Sequence, residues 1–471
     1  MEYYDDYLSS KEFKDNLLKY ETARKQGDFI YMEPDDLTDI AEYYHSKGNW
    51  KEAQTAAEYA ACLFPGSTSP LAFLSRLALY REHDIAKAQQ YADQIEDKSE
   101  MEYIYVQAEI MIVDNRMEEA NRYLEGHYAQ LEDEDKRDFV IDIADLYADY
   151  DMPAQASKWL ERSEEKEDDD YQELLGRIQM EQGNFEACEK IFNDLIDKNP
   201  YSSPYWNQLA TSQFQRNDIK DSIASSEFSI AINPHDEEAI LNKANGLYRL
   251  GNYEEALEYY KRYIRLCPKD ETGELYYATT LLNMNRLQEA LIHLKEAEKI
   301  ADSNSPNLIE IDQEMAFTLS RLGHLEEALD YVSKAEALTE SDKDEMMVLR
   351  GHLYLEHDQQ EKAQECFQKA IHHSNSSPHI FLRIAVSVYD NGYIELAYRM
   401  FTALLGAVDE KWSEGYSYLA VCCHALGKKE ECLKAVKKAL DVNPQEAENV
   451  LSDIVPKGVD VADYYLYLKN E

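Results

Sequence analysis

Hydrophobic side chains recur along the chain with the spacing of an amphipathic helix. In the stretch GNYEEALEYYKRYIRLCP, Leu257, Tyr260 and Ile264 are three and four residues apart. This spacing places them on one face of a helix, while charged residues take the opposite face. Gly251 suits the left-handed residue that ends a preceding helix, and Pro268 cannot continue the helix that follows. The stretch therefore predicts the second of two helices joined by a turn.

The same pattern recurs at intervals of 32 to 38 residues over most of the chain. Eleven of the twelve turn positions hold Gly, Asn or Asp, and the exception is His83. These three residue types adopt a positive φ at the least cost, so the bias predicts a left-handed turn residue at each position. The twelve positions are Gly48, His83, Asn115, Asp151, Gly183, Asn217, Gly251, Asn285, Gly323, Asp358, Gly392 and Gly427.

Two columns of small side chains accompany these turns. The residue five positions after each turn is Ala, Cys or Ser in all twelve cases, and the residue seven positions before it is Ala or Gly in eleven, with Arg76 as the exception. Small residues at both places would let paired helices cross closely. The columns resemble the tetratricopeptide repeat, a pair of antiparallel helices, and the resemblance is strongest at residues 174–200 and 244–268.

The resemblance covers about residues 35–444 and implies an all-α, right-handed superhelical solenoid of about twelve antiparallel helix pairs. Residues 1–34 and 445–471 are expected to provide a capping helix at each end, because the end repeats of a solenoid would otherwise expose apolar faces. We expect the apolar tail that begins at Asp463 to pack on the last pair for the same reason, and the alternative is that it docks elsewhere as a ligand.

Charge and composition exclude several classes of partner. The net charge is -45, from 93 acidic and 48 basic residues, so the chain would repel nucleic acid and anionic lipid. The N-terminus lacks the basic and apolar regions of a signal peptide, and no apolar run approaches the roughly 18 residues of a spanning helix. We therefore expect an acidic, soluble, cytoplasmic protein that has neither a nucleic-acid nor a membrane partner.

No sequence signature of catalysis or metal binding is present. The chain has no phosphate-binding glycine loop and no GxSxG, HExxH or GxGxxG motif. Its seven cysteines include no CxxC pair, and the spacing of His372, His373 and His379 fits no known type of metal site. We expect no enzymatic activity, cofactor or metal, and we expect the surface to carry the function. In the tetratricopeptide family, the first helix of each pair lines a concave groove.

The first candidate binding site is a run of carboxylates in DFVIDIADLYAD. Asp138, Asp142, Asp145 and Asp149 are spaced by four, three and four residues, which puts all four on one helix face. A groove stripe of this sign would attract a Lys- or Arg-rich segment of a partner protein. The alternative is a plain solvated face, because runs of charge are usually just that.

The second candidate site is a set of polar groove positions in two consecutive repeats. Asn side chains both donate and accept hydrogen bonds, so they can pair with the backbone of an extended peptide whatever its sequence. Ordinary polar groove residues are the alternative. Some family members clamp the C-terminal carboxylate of a partner with lysines, but the equivalent face of these repeats lacks them, so we do not expect that function here. The candidates are Asn207 and Thr211 in one repeat and Asn242, Asn245, Tyr248 and Arg249 in the next.

The function expected from these features is protein binding. Each repeat would add a small piece to a long surface, so that weak contacts sum over an extended protein or peptide ligand. We expect a non-catalytic scaffold or adaptor that holds a partner protein in its groove. The main alternative is a regulatory sensor whose superhelix changes curvature when a peptide binds. An enzyme built on the helical array is a third hypothesis, which no visible site supports.

Overall fold

The computed structural model describes residues 10–303, 305–338, 342–409, 411–452, 454–456 and 459–470. Within these ranges every regular element is helical, with 27 α-helices and one short 3₁₀ turn at Val461–Asp463. The all-α fold of paired helices predicted from the repeat is therefore confirmed. No described helix is long and apolar enough to cross a membrane.

Contacts along the chain separate two compact units, residues 1–273 and 274–471. Helix α16 begins at the end of the first unit and continues into the second. The helices that begin in the first unit are α1 (Lys11–Gln26), α2 (Pro34–Ser46), α3 (Trp50–Leu63), α4 (Thr68–Tyr80), α5 (Ile85–Asp93), α6 (Met101–Val113), α7 (Met117–Tyr128), α8 (Asp133–Asp149), α9 (Pro153–Leu160), α10 (Asp169–Glu181), α11 (Phe185–Lys198), α12 (Ser203–Gln215), α13 (Ile219–Ile232), α14 (Glu237–Arg249), α15 (Tyr253–Leu266) and α16 (Glu271–Asn283).

The second unit continues the same alternation of paired helices. The predicted division into a cap at 1–34, an array at 35–444 and a cap with tail at 445–471 stays a prediction, and residues 1–9, 453, 457, 458 and 471 of those ends lie outside the described residues. The remaining helices are α17 (Leu287–Ile300), α18 (Leu308–Arg321), α19 (Leu325–Ala337), α20 (Lys343–Glu356), α21 (Gln360–His373), α22 (Pro378–Asp390), α23 (Ile394–Leu405), α24 (Tyr416–Ala425), α25 (Lys429–Val442), α26 (Pro444–Leu451) and α27 (Tyr464–Asn470).

Each of the twelve predicted turn residues lies between two helices and has a positive φ. The values run from 51° at His83 to 87° at Gly323. At Gly251 the backbone N–H donates to Tyr248 O at 2.9 Å, and the next N–H, of Asn252, donates to Leu247 O at 2.9 Å. This is the pair of bonds of a Schellman motif, which satisfies carbonyls left open at the end of a helix. The left-handed turn predicted at every position is confirmed, including the one at His83.

The two columns of small residues lie where helices cross. All twelve residues five positions after a turn are buried, and so are the alanines of the other column. At Gly176 in α10, a Cβ atom would lie 2.6 Å from the ring of Phe192 in α11. That distance is shorter than real Cβ contacts, so the absent side chain is what lets the aromatic ring of the second helix reach the first.

Apolar clusters run through each unit and include residues of the first and last described helices. Phe13 and Tyr20 of α1 are buried in a cluster with Leu37 and Ile40 of α2. The start of α1 is fixed by Ser10, whose hydroxyl accepts from the N–H of Phe13 at 3.1 Å. In the second unit the tail packs as predicted. Tyr464 and Leu468 of α27 are buried in one cluster with Val436 and Ala439 of α25 and Leu451 of α26.

Candidate functional site

The four aspartates of the first candidate site lie on α8, the first helix of the fourth pair. The opposite side of α8 is fixed in the core by Phe139, Ile143 and Tyr147, which are fully buried. This orientation leaves the aspartates exposed or partly exposed on one face of the helix. We call this surface the acidic face, and it consists of Asp138, Asp142, Asp145 and Asp149.

Neighbouring helices supply partners for three of these carboxylates. The hydroxyl of Tyr105 in α6 donates to Asp142 Oδ2 at 2.6 Å. Arg177 in α10 donates to Asp145 Oδ1 at 2.5 Å and to Asp149 Oδ1 at 2.8 Å. For Asp138 the described residues show neither a hydrogen bond nor an ion pair. One guanidinium therefore serves two of the four negative charges, and the acidic face keeps a negative excess.

The surroundings of Asp142 and Asp149 disfavour the ionisation of these two carboxylates. Partial loss of hydration raises the pKa of Asp142, the Tyr105 hydrogen bond opposes that rise, and the charges of Asp138 and Asp145 add to it. Partial loss of hydration also raises the pKa of Asp149, together with the charge of Asp145, while Arg177 opposes the rise. A cation placed here would lower the cost of keeping both carboxylates ionised.

A small polar cleft lies beside the acidic face. It has a volume of about 130 Å³ and is lined by Asp138 and Asp142 of α8, by Tyr171 of α10 and by the loop between α9 and α10. Arg137 stands at this cleft, and its guanidinium pairs with Glu165 at 2.8 Å and with Asp168 at 2.5 Å. The cleft is too small for a folded ligand, but it has room for the end of one long polar side chain.

The second candidate site is more embedded in the protein than the sequence predicted. Asn207 was expected to be an open groove residue, but it is only 3% exposed. Its Nδ2 donates to Asp236, the residue that caps α14, at 3.1 Å. Its Oδ1 is buried and has no hydrogen-bond partner among the described residues. Asn207 therefore joins two helix pairs and does not present a free amide to a partner.

The other polar candidates keep part of their hydrogen-bonding capacity. Asn242 Nδ2 donates to Thr211 Oγ1 at 3.2 Å, which links α14 to α12. The hydroxyl of the buried Tyr260 donates to Asn245 Oδ1 at 2.8 Å. These two bonds leave the Oδ1 of Asn242 and the Nδ2 of Asn245 outside the contacts described. We call Thr211, Asn242 and Asn245 the amide face.

The last two candidates lie at the end of α14. Tyr248 packs its ring 5.7 Å from that of Tyr253 across the turn, so its aromatic face is partly used within the pair. The Arg249 side chain is exposed. These placements make Tyr248 mainly a packing residue and Arg249 a solvent-facing cation near the amide face.

The arginines that pair with carboxylates on neighbouring first helices were not predicted from the sequence. Arg76 in α4 donates from Nε to both carboxylate oxygens of Glu109 in α6 at 3.0 Å, and it also pairs with Glu102. Arg177 pairs with the acidic face from α10. Arg76 was visible as the one large residue in a column of small ones. Arg177 and Asp145 both stand six residues before a turn, so alignment on the turns would have placed opposite charges side by side.

Comparison with known proteins identifies the repeat. Models of the tetratricopeptide repeat match residues 237–270 and 344–371, which hold the pairs α14–α15 and α20–α21. A search of curated proteins gives no match.

Several solved structures are similar to this chain at low sequence identity. Yeast Tom70 aligns with a TM-score of 0.44 and 14% identity, over 100% of this chain and 94% of that one. A tetratricopeptide repeat protein from Parabacteroides merdae ATCC 43184 aligns with a TM-score of 0.43 and 14% identity, over 52% and 94% of the two chains. YrrB, described as a TPR protein with an unusual peptide-binding site, aligns with a TM-score of 0.32 and 20% identity, over 38% and 90%.

Proposed function

We propose that this chain, which is a tetratricopeptide repeat protein, is a non-catalytic scaffold that holds an extended basic segment of a partner protein on its first unit. Proteins of this family generally mediate protein–protein interactions. The observation that carries the proposal is the acidic face of α8, where burial and neighbouring like charges raise the pKa of Asp142 and of Asp149.

The acidic face favours a cationic ligand for a definite reason. Arg177 already uses its guanidinium on Asp145 and Asp149, while Asp138 and Asp142 have no cation within ion-pair distance among the described residues. A Lys or Arg side chain bound there would form charge-assisted hydrogen bonds and would reduce the repulsion between neighbouring carboxylates. The same charges would speed the approach of a basic segment at low ionic strength.

The amide face gives the same segment a second point of contact. It lies in the sixth and seventh helix pairs of the same unit, and in the proposed complex one extended chain contacts both faces. Amide groups bind the peptide backbone without reading side chains. In the proposed complex the acidic face selects for basic residues, and the amide face holds the backbone.

Neutralising the acidic face tests the proposal. The variant Asp138→Asn, Asp142→Asn, Asp145→Asn and Asp149→Asn should bind a fluorescein-labelled, unstructured Lys/Gly peptide about tenfold more weakly than the unmodified protein, since each lost charge contact at an exposed site is worth up to about 1 kcal/mol. Fluorescence anisotropy at low salt measures the affinity.

A matched control separates a local site from net charge. Asp194, Asp197, Glu254 and Glu258 are exposed on the second helices α11 and α15 of the same unit. Changing these four to their amides alters the net charge by the same amount. The control should bind the peptide nearly as well as the unmodified protein, and equal losses in both variants would sink the proposal.

A further inference from the structure

The first unit makes a contact between its first and seventh helix pairs. Lys47, at the end of α2, places its Nζ 3.4 Å from Oε1 of Glu237, the first residue of α14 and 190 positions away. Beside it, a Cβ atom built on Gly48 would lie 3.9 Å from the Cβ of Lys269, which follows α15. Residues so distant in sequence meet only if the intervening pairs turn through a full circuit.

A second set of charges extends this contact. Arg81, which follows α4, lies over the ring of Trp50 with its Cζ 4.6 Å from the centroid. Burial lowers the pKa of Arg81, and the negative charge of Glu271, the first residue of α16, opposes that fall. The direct contact is therefore that of the first pair with Glu237 and Lys269, and Arg81 of the second pair adds a longer-range attraction to Glu271.

The composition of the contact makes it easy to open. The side chains of Lys47 and Glu237 are 53% and 40% exposed, and an ion pair so exposed to water is weak and is screened by salt. Gly48 contributes only backbone, so the first pair can approach Lys269 closely without a buried side chain to hold it there.

We propose that Lys47 and Gly48 form a clasp with Glu237 and Lys269, aided at longer range by the opposite charges of Arg81 and Glu271. The clasp holds the first unit closed and releases as ionic strength rises. The acidic face lies in the fourth pair, between the two sides of the clasp in sequence. A closed clasp would restrict the access of a ligand to the surface that the intervening pairs enclose, whereas an open one would widen that access. The clasp goes beyond the proposed function, because it exists without any ligand.

A disulfide across the clasp tests whether it closes. In Gly48→Cys/Lys269→Cys the two Cβ atoms would be 3.9 Å apart, within the range of real disulfides. The variant, in a Cys62→Ser background that removes the exposed native thiol, should form an intramolecular disulfide under mild oxidation at low salt. Cys267 lies nearby, but partial burial raises its pKa to about 12, so it competes little at pH 8.

The control uses an equivalent turn that faces no other element. Gly183 has a φ of 74°, close to the 66° of Gly48, and a Cβ there would meet nothing within 4 Å. Gly183→Cys/Lys269→Cys carries the same backbone strain and the same second thiol. Mass spectrometry follows the rates, and the clasp pair should cross-link at least tenfold faster. Equal rates would overturn the clasp.

The charges of the clasp are tested on the same reaction. Lys47→Glu should slow cross-linking by about two- to fivefold, the range expected for losing one exposed ion pair, and 1 M salt should do the same. The swap Lys47→Glu/Glu237→Lys should restore the rate. A rate that ignores both salt and charge would show that the contact is a fixed packing and not a releasable clasp.

A second cross-linking experiment uses the unmodified protein, so its result does not depend on whether a variant folds. A zero-length carbodiimide joins an ammonium and a carboxylate that are in contact, so it should link Lys47 to Glu237. Mass spectrometry of a digest would detect the joined peptides. Recovery of this link at low salt and its loss at 1 M salt support the clasp, and its absence at low salt contradicts it.

Discussion

At the scale of single residues, the turns show how position can dominate residue type. His83 has a φ of 51°, although a non-glycine residue in the left-handed region costs roughly 1 kcal/mol. The cost is accepted because α4 and α5 must still form a pair. The sequence predicted this turn from the spacing of its neighbours and not from His83 itself. Side-chain partners were harder to predict, because they depend on which atoms meet across helices.

The two asparagines of the amide face should respond differently to truncation. Asn242→Ala removes the Oδ1 that would bind the peptide backbone, so peptide affinity should fall. Within the protein it removes only a partly exposed hydrogen bond to Thr211, so the melting temperature should stay unchanged. Asn245→Ala removes the hydrogen bond that the hydroxyl of the buried Tyr260 donates, so it should also lower the free energy of unfolding by about 1 kcal/mol. Anisotropy and thermal melting measure the two effects. Unchanged affinity in Asn242→Ala would remove this residue from the site.

At the scale of helices, the columns of small residues set the distance within each pair. The sequence predicted these columns, since they repeat with the turns. It did not predict the ion pairs between neighbouring pairs, such as Arg76 with Glu109. Those contacts depend on how one pair is placed on the next. A pattern within one repeat does not record that placement, and only a comparison of equivalent positions in successive repeats could have indicated a pair such as Arg177 and Asp145. Asn207 was misjudged for the same reason, because the carboxylate that holds it belongs to the next repeat.

Two glycines on first-unit helices give opposite predictions. Gly176→Ala drives a Cβ to 2.6 Å from the Phe192 ring, so it should reduce the free energy of unfolding by about 1–3 kcal/mol through forced repacking. At Gly126 in α7 a Cβ atom would have no other atom within 4 Å. Gly126→Ala should therefore raise the free energy of unfolding by about 0.5 kcal/mol, because alanine has the higher helix propensity. Urea unfolding compares the variants. A stable Gly176→Ala protein would contradict the role given to the small columns.

At the scale of the molecule, the repeat was readable from the sequence and the division into units was not. The twelve turn residues predicted twelve helix pairs, because the residues that form each pair lie close together in the sequence. The boundary at Gly273 and the contact of Lys47 with Glu237 depend on small rotations summed over many pairs. No single residue encodes such a sum. The spacing of the aspartates predicted a row of carboxylates on α8, but which of them lack a cation among the described residues could be identified only from the contacts around that helix.

The central claim is that a basic segment binds the first helices of the first unit, and hydrogen–deuterium exchange tests it most directly. The full chain would be compared with and without the Lys/Gly peptide at low salt. Exchange should slow in α8 and, more weakly, in α12 and α14, while residues 343–442 of the second unit stay unchanged. Slowed exchange confined to the second unit, or to second helices such as α11 and α15, would contradict the claim.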